Sequence, residues 1–88
     1  MIVEDTIQMI SDLIDDRTVN ELYEERGNSF IREQYDHLVF EVYNYAEDSS
    51  AFFKNTVLDI VDEIEDNGIV VFDMYNQSGV YVIETAKG

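Results

Sequence analysis

The stretch from Ser49 to Asp66 constrains the fold of this chain more than any other. Phe53, Val57, Ile60 and Ile64 recur at spacings of four, three and four, which places them on one face of an α-helix. Asp59, Asp62, Glu63 and Asp66 fall together on the far side. Ser49 or Ser50 can cap the start, and Asn67-Gly68 can close the end, because glycine accepts the left-handed conformation a helix terminus needs. Such a helix has to bury its apolar stripe, so the rest of the chain must supply a matching surface.

A second stretch has the same character. From Glu4 to Asp16, Val3, Ile7, Ile10 and Ile14 form an apolar stripe, while Glu4, Asp5, Asp12, Asp15 and Asp16 lie on the opposite side with no base among them. Between these two helices the pattern predicts two more. One is a short helix over Thr18 to Arg26, capped by Asp16 or Thr18 and stopped at Gly27. The other is a long helix from Asn28 or Ser29 to about Asp48, with Ile31, Tyr35, Leu38, Val42 and Tyr45 as its stripe. Phe40 lies off that stripe, beside His37 and Asn44.

After Gly68 the period changes to that of strands. Ile69 to Tyr75 and Val80 to Thr85 flank a turn at Asn76-Gln77-Ser78-Gly79. Pairing Tyr75 with Val80 sets Phe72 opposite Ile83 and Met74 opposite Tyr81. The register two residues away would set Asp73 against Glu84, which like-charge repulsion disfavours, so the first is expected. A lone hairpin needs cover. One face should pack on the helices and the other should meet a second surface, a second copy of the chain being one candidate. The expected fold is α+β: one domain over residues 1–88, with about four helices followed by a C-terminal antiparallel β-hairpin.

Charge then narrows function. With 20 Asp and Glu against 5 Lys and Arg, the 88 residues carry a formal charge of −15, yet 45% of them are apolar. An acidic tail of that charge would be disordered, but this much apolar side chain can build a core, so the charge sits on a folded surface. Solubility needs a charge of only about 2 to 8 in magnitude. The excess points to a cationic partner and argues against direct binding of nucleic acid or an anionic membrane. Arg17, Arg26, Arg32, Lys54 and Lys87 are scattered and form no basic patch. The absence of Cys, of a secretory leader and of any transmembrane-length run favours the cytoplasm.

Nothing in the sequence assembles a catalytic or cofactor site, so no enzyme activity and no cofactor is expected. His37 is the one histidine, and on a helix it would be paired with Glu33 and Glu41 one turn away on either side. The span Glu63 to Met74 brings Gly68 to the glycine of a calcium-loop template, but position twelve is Met74 instead of the required Glu.

The two acidic helix faces are the strongest functional signal. Carboxylates at i and i+4 are about 6 Å apart along a helix axis, similar to the separation of successive backbone phosphates. A rigid face of this kind can occupy the Lys and Arg sites of a nucleic-acid-binding protein. The elements Ala46-Glu47-Asp48, Phe52-Phe53, the apolar helix that follows, Gly68-Ile69 and Ser78-Gly79 resemble the central part of the phage Ocr anti-restriction family. Small acidic anti-CRISPR proteins are similar in size and charge. The resemblance implies a phage-encoded, dimeric DNA mimic that blocks host restriction enzymes in the host cytoplasm.

The expected function is therefore an acidic inhibitor of a nucleic-acid-binding defence enzyme, restriction or CRISPR. Its partner is a basic protein. Glu4, Asp5, Asp12, Asp15, Asp16, Asp59, Asp62, Glu63 and Asp66 would stand in for phosphates, with Phe40, Tyr43 or Tyr75 as an aromatic anchor. The alternatives are an immunity or antitoxin protein for one nuclease toxin, built around an aromatic hot spot, and a non-inhibitory adaptor module.

Overall fold

The computed structural model of the chain describes residues 2–18, 29–34 and 36–88. Six elements follow one another: α1 (Val3–Arg17), β1 (Ser29–Glu33), β2 (Leu38–Val42), α2 (Ser50–Asp66), β3 (Val71–Gln77) and β4 (Val80–Thr85). The strands form one sheet in the order β1-β2-β4-β3, with every neighbouring pair antiparallel. Because β4 runs antiparallel to both β2 and β3, those two strands are parallel to each other. Helix α2 is the crossover between them, and β4 fills the slot it leaves in the sheet.

The expectation of about four helices is therefore wrong: the described residues hold two helices and a four-stranded antiparallel sheet. The long helix expected from residue 28 or 29 to 48 is instead the β1–β2 hairpin, with Ile31 opposite Phe40 and Glu33 opposite Leu38. Phe40 explains the difference. On a helix it opposes the stripe of Leu38 and Val42, but on a strand Leu38, Phe40 and Val42 share one face, and all three are fully buried. Two valines and a phenylalanine in five residues also favour a strand. The short helix expected over Thr18 to Arg26 lies outside the described residues, except for Thr18. There the backbone is extended, and both the N–H and the hydroxyl of Thr18 donate to the Ile14 carbonyl, closing α1.

The two helices with the clearest sequence period form as expected. Ser49 caps α2 by accepting from the Phe52 N–H at 3.2 Å, a bond worth about 1 kcal/mol, and Gly68 takes φ +85 after the helix ends. Both helices lie on the same face of the sheet. One cluster joins Ile10 and Ile14 of α1, Phe53, Val57, Ile60 and Ile64 of α2, and Leu38, Phe40, Val42, Tyr81 and Ile83 of the sheet. The Phe53 and Tyr81 rings meet edge to face at 5.5 Å within it.

The β3–β4 hairpin forms in the register that repulsion was expected to exclude. Gln77 pairs with Val80, Met74 with Ile83, and Asp73 with Glu84. The turn decides this. Ser78 and Gly79 both have positive φ, +56 and +88, so the loop contains two residues instead of the four expected. Each carboxylate then has its own partners: Asp73 turns back to accept from the Met74 N–H at 2.8 Å, while Glu84 takes His37 on one oxygen and the Tyr75 hydroxyl on the other. A β-bulge between Val71 and Asp73 shifts the register next to this pair. The cover that β4 needs comes from β2 beside it and the helices against its Tyr81 and Ile83.

Phe40→Ala should remove about 3–5 kcal/mol of stability by opening a cavity under both helices. Chemical denaturation followed by circular dichroism will show this as a lower midpoint with little change in slope.

Candidate functional site

With both helices on one face of the sheet, their outward sides share one side of the molecule. Each contributes five acids: Glu4, Asp5, Asp12, Asp15 and Asp16 from α1, and Asp59, Asp62, Glu63, Glu65 and Asp66 from α2. The bases of this layer are Arg17 and Lys54. Arg17 forms an ion pair with Glu63, linking the end of α1 to α2. Both side chains are partly exposed, so solvent screening leaves the pair worth under about 1 kcal/mol. Asp15 is also engaged, and Asp12 accepts from the neutral Gln8 amide at 2.9 Å. Among the described residues no cation pairs with Glu4, Asp5, Asp12, Asp16, Asp59, Asp62, Glu65 or Asp66.

The sheet side is different. Its acids are Glu33, Asp36, Glu41, Asp73 and Glu84, and most of them have a basic partner. Glu33 meets Lys87 at 3.4 Å, Glu41 meets Arg32 at 3.8 Å, and His37 lies between Asp36 at 2.5 Å and Glu84 at 3.2 Å. The molecule is thus polar in charge: acids with basic partners around the sheet, and a largely uncompensated acidic layer on the helices. Solvated carboxylates at this density repel one another and oppose the compact state.

His37 does not sit on a helix between Glu33 and Glu41, as its spacing suggested. It stands in the β1–β2 turn, with its ring edge-on to Phe72 at 6.4 Å. Its hydrogen bond to Asp36 holds that carboxyl below the usual aspartate range, while the Glu84 carboxylate pushes the Tyr75 hydroxyl above its ordinary value of 10.0 by stabilising the protonated phenol. The described residues contain no cluster of His, Asp and Glu able to hold a metal ion, and no helix long and apolar enough to cross a membrane.

Of the three aromatic residues nominated as anchors, Phe40 is fully buried in the core and cannot touch a partner. Tyr75 is exposed but lies on the sheet face away from the helices, beside Val82. Tyr43 is half-buried at the end of β2, its ring stacked on Tyr45 at 5.6 Å and 13° and its hydroxyl donating to Glu41 at 2.9 Å. These two tyrosines wall a groove of about 340 Å³ between the segment after β2, the first turn of α2 and the end of α1.

Sequence reasoning missed Phe52, which lines this groove and is 61% exposed. The signal was the pair Phe52-Phe53. Adjacent helix positions differ by about 100°, so when Phe53 faces the core Phe52 must face outward. No known protein family, curated protein or solved structure matches the chain.

Two outcomes follow from this charge distribution. The melting temperature should rise by several degrees as NaCl increases from about 10 mM to about 1 M, because the screening length falls from about 30 Å to about 3 Å. A melting temperature that falls with salt would mean that attractive pairs dominate. In the second, Glu84→Gln should bring the Tyr75 titration back down toward 10 in an NMR pH series. Because the folded-state value of Tyr75 is raised, its contribution to stability is present below pH 10 and is lost as pH rises through that folded value.

Proposed function

We propose that the chain is an acidic mimic of nucleic acid that occupies the DNA- or RNA-binding surface of a basic partner enzyme and blocks it. The observation that supports this most is the segregation of charge. Most acids around the sheet have basic partners, whereas both helices carry largely uncompensated acids on one side of the fold. A surface needed only for solubility would have lysines interspersed among those acids.

Asp59, Asp62 and Asp66 form a rigid exposed row on α2, with Asp12 and Asp16 on the exposed side of α1. A protein that binds nucleic acid through Lys and Arg gains the same sequence-independent attraction from such a row as from phosphates. The resemblance to the Ocr family and to anti-CRISPR proteins suggests a restriction or CRISPR enzyme as the target. A second reading, an immunity protein for one nuclease toxin, is favoured by the aromatic groove beside the acids, since an aromatic hot spot suits a single cognate partner.

The test is capture from a bacterial lysate on immobilised protein, with duplex DNA as competitor. The retained proteins should be nucleic-acid-binding enzymes that leave with added DNA or as salt rises from about 50 mM to about 200 mM. Joint replacement of Asp12, Asp16, Asp59, Asp62 and Asp66 by Asn should abolish retention while leaving the circular dichroism spectrum unchanged. Retention indifferent to both salt and DNA would sink the mimicry reading.

A further inference from the structure

Resting on the reading just given, we infer that the groove walled by Tyr43, Tyr45 and Phe52 receives an arginine side chain of the basic partner and serves as the anchor of the acidic surface. Phe52, Asp59 and Asp66 stand at i, i+7 and i+14, so they lie almost on one line along α2. A partner that lays its cations along the aspartates therefore brings its next contact, about 10 Å further on, over Phe52.

What it meets there is aromatic surface with a carboxylate at the rim. Phe52 is more than half exposed, the half-buried Tyr43 and Tyr45, stacked on each other and each engaged in further contacts, form the wall beside it, and Asp48 also lines the groove, exposed and with no cation paired to it among the described residues. Arg17 lines the groove too, with its own charge committed to Glu63.

Aromatic faces beside a carboxylate select arginine over lysine. The planar, weakly hydrated guanidinium stacks on rings and still bonds a carboxylate with its fork of N–H groups, whereas the ammonium of lysine keeps its water. The walls are also preset. The Asn44 amide donates to the Asp48 carbonyl at 2.8 Å and accepts from the Asp48 N–H at 3.0 Å, and the Glu47 N–H closes the turn onto the Asn44 carbonyl at 3.1 Å. Little ordering is left to be done on binding. The acids alone attract any cation, and the groove adds a preference for one kind.

Titrating the full chain with hexa-arginine and, separately, hexa-lysine tests this, with affinity read by calorimetry and location by amide NMR shifts. Hexa-arginine should bind roughly five- to tenfold tighter at equal salt and should shift residues around the groove. Phe52→Ala removes an exposed side chain and leaves the core intact, so it should erase the arginine preference and leave hexa-lysine affinity unchanged. Replacing Asp59, Asp62 and Asp66 by Asn should weaken both peptides while preserving the preference. Equal affinity for the two peptides, a preference that survives Phe52→Ala, or shifts confined to the sheet face would each overturn the groove and leave the acidic-mimic reading standing. Failure of both peptides to bind at low salt would remove the two together.

Discussion

Everything in this fold depends on a single apolar layer. Leu38, Phe40, Val42, Tyr81 and Ile83 present one sheet face to Ile10 and Ile14 of α1 and to Phe53, Val57, Ile60 and Ile64 of α2. That burial is the main attraction holding together a chain of formal charge −15. It also orients the charge. Because each helix must turn its apolar stripe to the sheet, the acids opposite those stripes are obliged to face outward, both sets in the same direction. The acidic surface is thus a by-product of how the core is filled.

The parts of this that were legible in the sequence share one property. In α1 and α2 the apolar period and the acidic period are both helical and exactly out of phase over fifteen residues or more, so no other secondary structure satisfies them. The middle of the chain offered no such double signal. Ile31, Leu38 and Val42 fit a helical stripe, and the indications of a strand are the position of Phe40 and the strand-favouring residues between Leu38 and Val42. The turn that separates β1 from β2 carries no glycine or proline to announce it.

The register of the second hairpin failed for another reason. Like charge at Asp73 and Glu84 argues against this register, but Ser78-Gly79 fixes the pairing, and His37, forty-seven residues before Glu84 in sequence, arrives from another hairpin to hold it. A partner so distant in sequence is invisible to local pairing rules. Phe40 is hidden for a related reason: by type it suits an exposed anchor, whereas its strand position makes it core, and Phe52, Phe72 and Tyr75 are exposed instead.

The order of the strands has its own consequence for how the molecule is made. β4 is the last of the four strands to be synthesised, yet it lies inside the sheet between β2 and β3. Until it inserts, β2 and β3 have no hydrogen-bonding partner between them, and α2 spans a gap. The nascent chain can prepare its helices and its first hairpin, but it holds an open sheet and a half-covered core until residues 80 to 85 are available. Assembly of this domain is therefore completed from its middle, and the acidic layer becomes a fixed surface only at that last step.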